Sequence, residues 1–81
     1  MKEITEEEFM DLTLEENFNF TGIVNWNDGA QIYYQNGKRH RMDGPAAVWS
    51  DGQVSYWING KRVSREAQEL YHSLMKLKGL V

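Results

Sequence analysis

An α+β fold, an antiparallel β-meander of about five or six short strands flanked by a short N-terminal and a C-terminal helix, follows from three features of this chain of 81 residues. Turn formers recur at Asp28-Gly29, Asn36-Gly37, Asp43-Gly44, Asp51-Gly52 and Asn59-Gly60, seven or eight residues apart. The stretches between them are β-branched or aromatic, as in Ile32-Tyr33-Tyr34 and Val54-Ser55-Tyr56-Trp57-Ile58. A shift of 23 residues places Trp26 on Trp49, Asp28-Gly29 on Asp51-Gly52, Tyr33 on Tyr56 and Asn36-Gly37-Lys38-Arg39 on Asn59-Gly60-Lys61-Arg62. A repeat of that length makes each copy a hairpin unit that buries its apolar face only against a neighbour. One domain is expected, with a helix over about 5–13, a repeat-built sheet over about 18–63 and a helix over about 64–78.

The first helix has its start encoded. Thr5-Glu6-Glu7-Glu8 reads as a capping box, with Ile4 and Phe9 at the staple positions on either side. Three successive glutamates lie at the positive end of the helix dipole. Phe9 and Leu12 should be buried, with Met10 or Leu14 at the edge. Thr13-Leu14-Glu15-Glu16 reads equally as a second cap or as the last turn of the first helix.

In the sheet, Asn-Gly and Asp-Gly supply the positive φ angles that two-residue hairpin loops require. Pro45 lacks a backbone donor, so the strand through Ala46, Val48 and Ser50 should start at or after it. Alternation puts Ile32, Tyr34 and Trp57 on one face and Tyr33, Val54, Tyr56 and Ile58 on the other. Both faces are apolar, so each calls for a cover.

The C-terminal helix should start at the cap Ser64 and end near Gly79, with Lys76 and Lys78 favoured in its last turn. Ala67, Leu70, Tyr71, Leu74 and Leu77 recur at helical spacing, so this stripe is expected to dock on the sheet. On that expectation Leu70→Asp or Leu74→Asp unfolds the domain.

Composition narrows the class. The chain has no cysteine, which favours a reducing compartment and a cytoplasmic location, the host cytoplasm if a phage encodes it. Its first twenty residues are acidic, unlike a signal peptide, and no apolar run reaches the ~20 residues that span a bilayer. Net charge is −3, but residues 1–20 hold one lysine against seven carboxylates, while residues 21–81 hold eight basic side chains against five acidic ones. The acidic end reads first as a solubilising face and second as a steering charge.

The run Trp-x-Asp-Gly, Tyr-Tyr or Tyr-Trp, then Asn-Gly-Lys resembles the variant membrane occupation and recognition nexus (MORN) repeat, whose units form hairpins. His40-Arg41-Met42-Asp43-Gly44-Pro45-Ala46, followed by Trp49-Ser50-Asp51-Gly52 and Trp57-Ile58-Asn59-Gly60-Lys61, is similar to the HRxDGPA-type repeats of small proteins of tailed bacteriophages and their hosts. The likeness spans about residues 21–66 and departs from the pattern in having a single His-Arg-x-Asp-Gly-Pro-Ala copy and about two units. It implies a fold, flanking helices as end caps or a homodimer as the remedy for so short a stack, and no chemistry of its own.

No catalytic or metal constellation emerges. His40 and His72 are the only imidazoles, and neither has metal-ligand spacing. Asp28, Asp43 and Asp51 precede glycine, where a short carboxylate closes its own turn. An enzyme using His40 with Asp43 is the third-ranked reading, and no cofactor is implied. The first is a non-enzymatic protein-interaction module that, if phage-encoded, inhibits a host protein or defence complex. Its contacts are assigned to the basic loop Arg39, His40 and Arg41 with the repeat mate Arg62, the sheet aromatics Tyr33 and Tyr56, and the acidic helix through Glu6 and Glu7. The second is single-stranded nucleic-acid binding by the same Tyr and Arg edge, which the acidic end opposes.

Overall fold

The computed structural model describes residues 2–80 and shows a small α+β fold in which a mixed sheet carries short N-terminal helices and a C-terminal helix. The strands are β1 (Glu3–Thr5), β2 (Gly22–Asn25), β3 (Gln31–Gln35), β4 (Lys38–Arg39), β5 (Ala47–Val48), β6 (Val54–Ile58) and β7 (Lys61–Val63); the helices are α1 (Glu6–Met10), α2 (Leu14–Asn19) and α3 (Arg65–Leu77). The sheet order is β1-β2-β3-β5-β6-β7, with β4 also on β3. All pairs are antiparallel except β1 with β2.

The two copies of the repeat share one geometry. Trp26 N–H donates to Ala30 O and Trp49 N–H to Gln53 O, both at 2.8 Å, and Gly29 and Gly52 each donate back to the tryptophan carbonyl at 3.0 Å. The Asp28 carboxylate accepts from Ala30 N–H and that of Asp51 from Gln53 N–H, again both at 3.0 Å. At the second turn, Asn36 and Gly37 have φ of 51° and 77°, and Asn59 and Gly60 have 49° and 84°. Positive φ at both positions is what a two-residue type I′ loop needs. The strands leave those loops in one register, Tyr34 opposite Arg39 and Trp57 opposite Arg62.

The His40–Ala46 segment is extruded from the ladder. β4 and β5 lie along the same side of β3, but the register at its two ends differs by six residues. Tyr33 closes the neck, accepting from His40 N–H at 3.0 Å and donating to Ala46 O at 2.7 Å. Ala46 and Ala47 are fully buried where the chain rejoins the sheet.

Two differences concern the N-terminus. The helix expected over about 5–13 is two helices, each with its own capping box, at Thr5 with Glu8 and Thr13 with Glu16. Thr13 turns the chain because its hydroxyl takes the Glu16 amide, which starts a new helix instead of extending the old one. Phe18 belongs to α2 and is exposed, so the repeat-built part of the sheet begins at Gly22. The sheet is also mixed: β1 adds a parallel edge that a meander lacks, anchored by the single buried side chain Ile4. Three residues are too few for alternation to announce a strand.

The core lies between α1 and the β1–β3 half of the sheet. Ile4, Phe20 and Val24 are buried there, with Phe9, Leu12, Trp26 and Tyr34 packed around them, as expected for Phe9 and Leu12; Met10 and Leu14 are exposed. Phe9 stacks on Tyr34 at 5.3 Å and meets Phe20 and Trp26 edge-on at 6.1 and 5.8 Å. Each such pair adds about 0.5–1.5 kcal/mol beyond area burial.

The third difference lies in α3. It packs against β6 from the other face of the sheet, yet Leu70, Leu74 and Leu77 are 64, 46 and 85% exposed. Gln68 is the buried residue, and Tyr71, His72 and Met75 are half-buried beside it. At about 100° per residue, that face is roughly a third of a turn away from the centre of the Ala67-Leu70-Tyr71-Leu74-Leu77 stripe expected to dock, of which Tyr71 alone is half-buried. The cause is the extruded loop. Its carbonyls at Arg41 and Gly44 need a donor, and the Gln68 amide supplies one to both, at 2.8 Å for Arg41 O. Leu70→Asp and Leu74→Asp are therefore expected to leave the domain folded.

A candidate interaction surface

The helices cover opposite faces of opposite halves. α1 packs on β1 and β2, while α3 packs on β6 from the other side. The α1 face of β4–β7 carries no helix. Pairing and alternation place Arg39, Trp49, Trp57 and Arg62 on it.

Arg39 is the centre of that strip. Its guanidinium lies 5.0 Å from the Trp57 ring centroid and 5.8 Å from that of Trp49, within cation–π range of both. Trp57 is fixed by its indole N–H, which donates to the buried Ser55 hydroxyl at 2.9 Å. Trp49 is 37% exposed. Between the repeat mates Trp26 and Trp49 lies a hollow of about 230 Å³, lined also by Glu6, Asp28, Ala30 and Arg39. The Trp26 indole N–H is buried, and no hydrogen-bond partner meets it among the described residues.

Glu6 and Glu7 adjoin this strip through Asn27. Glu6 accepts the Asn27 backbone N–H at 3.1 Å, and Glu7 accepts from its side-chain amide at 2.8 Å. That amide holds the Glu7 carboxyl below its ordinary 4.5. The structure thus brings Arg39, Arg62, Glu6 and Glu7 to one side of the molecule.

The remaining candidates lie on the other side and are engaged within the fold. Arg41 donates through Nε to Asp43 at 2.9 Å and through a terminal nitrogen to Pro45 O at 3.2 Å, and lies 4.1 Å from the Tyr33 ring centroid. Tyr33 is half-buried beneath it. Gly44 belongs to the same clamp, because a Cβ there would stand 3.0 Å from the Arg41 guanidinium carbon. Tyr56 is half-buried and lines a hollow with Arg65 and Gln68.

His40 and Asp43 both border a hollow of about 470 Å³ with Tyr33, Arg41 and His72. Their hydrogen bonds lead elsewhere. His40 Nδ1 accepts from Asn59 N–H at 3.0 Å, which leaves the ring proton on Nε2, and burial pushes the imidazole below 6.5. Asp43 is held below 3.8 chiefly by the Arg41 hydrogen bond. Neither residue orients the other. Among the described residues no three His, Cys, Asp or Glu side chains converge as metal ligands, and no helix is long and apolar enough to cross a membrane.

Trp49 and Trp57 are not among the partner-contact residues assigned from the sequence, although the Tyr and Arg edge of the nucleic-acid reading includes Trp57. The signal was available, since an Asn-Gly loop of two residues sets Arg39 opposite Tyr34 and Arg62 opposite Trp57. Gln68 had no such signal. Comparison with protein-family models, curated proteins and solved structures returns no match.

Proposed function

We propose that this chain is a small non-enzymatic protein-interaction module whose contact surface is the Arg39, Trp49, Trp57 and Arg62 strip, with Glu6 and Glu7 at its rim. The observation that carries the reading is the arginine held between two tryptophans on an uncovered half-face. Tryptophan and arginine dominate binding energy at protein interfaces, and a guanidinium already ordered by stacking loses little entropy when it binds. The resemblance to phage-type repeats extends the proposal to a partner in a bacterial host, with inhibition of a host enzyme or defence complex as the outcome of binding. Affinity purification from bacterial lysate tests it. A partner retained by wild type and by Arg65→Glu but lost by Trp49→Ala with Arg39→Glu supports the strip; capture indifferent to those two substitutions refutes it.

The same strip supports a second reading, single-stranded nucleic-acid binding, because indole faces beside two guanidinium groups suit base stacking with phosphate neutralisation. Glu6 and Asp28 at the adjoining hollow oppose a polyanion. Quenching of tryptophan fluorescence by oligonucleotides at low salt, reversed by salt, would favour this reading over the first.

A further inference from the structure

Resting on the strip as a contact surface, we propose that its partner presents a short acidic segment, whose carboxylates are received by Arg39 and Arg62 on either side of Trp57. The chain has four arginines, and they divide by what they hold. Among the described residues, Arg41 pairs with Asp43 and Arg65 with Glu69, and the hydrogen bonds that arginine side chains donate belong to these two alone. Arg39 and Arg62 have no carboxylate of their own there. Both reach the face that no helix covers, since the Arg39 guanidinium lies against Trp49 and Trp57 and Arg62 stands directly opposite Trp57. An indole engages the charge of a guanidinium and leaves its N–H groups to an acceptor, so Arg39 is held in place with its donors open. The planar fork of a guanidinium matches a carboxylate, two N–H groups to two oxygens.

Strand order sets the length of the segment. β4 lies against the end of β6, where Gly60 N–H donates to Arg39 O at 2.8 Å and Arg41 N–H to Trp57 O at 3.1 Å, and β7 follows on the far side of β6. The strands that carry Arg39 and Arg62 are therefore about 10 Å apart, the span between two carboxylates about three residues apart in an extended segment. The positive zone ends there. β7 is the last strand of the sheet, and on the opposite side Glu6 and Asp28 border the hollow next to Arg39. A short acidic segment meets both guanidinium groups without crossing those carboxylates, whereas a polyanion drawn across the sheet runs on into them.

Titration of the full chain with hexaglutamate at low salt, followed by amide chemical shifts that also report whether each variant is folded, tests the proposal. Hexaglutamate should bind and shift the amides around Arg39, Trp57 and Arg62. Arg39→Gln with Arg62→Gln should weaken it at least roughly tenfold, and Lys76→Gln with Lys78→Gln, which removes the same charge from the end of α3, should leave it within about twofold. Arg39→Lys with Arg62→Lys keeps the charge and loses the fork, so affinity should fall roughly three- to tenfold. Absence of binding, equal loss in the two double-glutamine variants, or a double-lysine variant as tight as wild type overturns the proposal. So does an oligothymidylate of equal charge that binds wild type more tightly than hexaglutamate, which would assign the strip to nucleic acid. If hexaglutamate fails while capture from lysate still depends on Trp49 and Arg39, the contact surface stands and only its acidic partner is refuted; if both fail, the contact surface is refuted with it.

Discussion

Replacing Gln68 by leucine removes the side chain that hydrogen-bonds α3 to the extruded loop, and its cost follows from the contacts it loses. The amide donates to Arg41 O and Gly44 O from a side chain that is 3% exposed. Each neutral hydrogen bond contributes about 0.5–1.5 kcal/mol, and a carbonyl left bare away from water adds about 1–3 kcal/mol. Arg41 and Gly44 are only half-buried, so water recovers part of that second cost. A loss of about 2–4 kcal/mol is expected for Gln68→Leu. A domain of this length has about 4–12 kcal/mol of net stability, and each kcal/mol moves the melt by about 4–8 °C, so Tm should fall by about 10–25 °C. Leu70→Asp, at a side chain 64% exposed, should change stability by no more than about 0.5 kcal/mol. Both variants should be melted by circular dichroism in dilute solution. Leu70→Asp unfolding more easily than Gln68→Leu would refute the reasoning and return the leucine stripe to the core.

Further outcomes concern two turn glycines, two titrating side chains of the extruded loop and the arginine between the tryptophans. A Cβ at Gly37 would stand 2.7 Å from the backbone oxygens of Asn17 and Phe18, where α2 closes on the first Asn-Gly turn, so Gly37→Ala should cost about 2–4 kcal/mol in urea unfolding. Gly52, at φ +89° with nothing within 4 Å, should cost only about 1–2 kcal/mol on the same change. Burial lowers the His40 pKa in the folded state, so the unfolded chain takes the proton first; stability should be full above 6.5 and be lost as pH falls through the folded value, a step that His40→Asn removes. Asp43 acts in the same direction at lower pH, with its contribution intact above 3.8 and lost as the carboxyl protonates. Arg39→Ala should cost about 0.5–1 kcal/mol and change the tryptophan emission, because its guanidinium faces Trp49 and Trp57.

What was legible in the sequence was local. Asn36-Gly37 and Asn59-Gly60 take the positive φ angles that their residue types favour, and Thr5 and Ser64 cap the helices they precede. The strand faces followed from alternation, with Tyr34 and Trp57 on one side and Tyr33 and Tyr56 on the other. Relations between distant segments were not legible. The partners of Gln68 lie 24 and 27 residues earlier in the chain, and an amide gives no periodic signal. The leucines of α3 announce an apolar face but not what covers it, which is why the helix was expected to dock with the wrong side. Of the candidate contacts, Arg41, His40 and Tyr33 are drawn into holding the loop, whereas Arg39 and Arg62 reach the open face; parity sets Tyr33 apart, and the departure of the chain from the ladder after Arg39 sets Arg41 apart.

The central claim is that residues 22–63 are two copies of one ribbon in one register. Nuclear Overhauser contacts in solution test it most directly. The account predicts cross-strand contacts between Tyr34 and Arg39 matched by those between Trp57 and Arg62, with couplings at Asn36 and Asn59 that report φ near +50° in both. Cross-strand contacts in one hairpin shifted by a residue relative to the other, or a helical pattern across either, would contradict it.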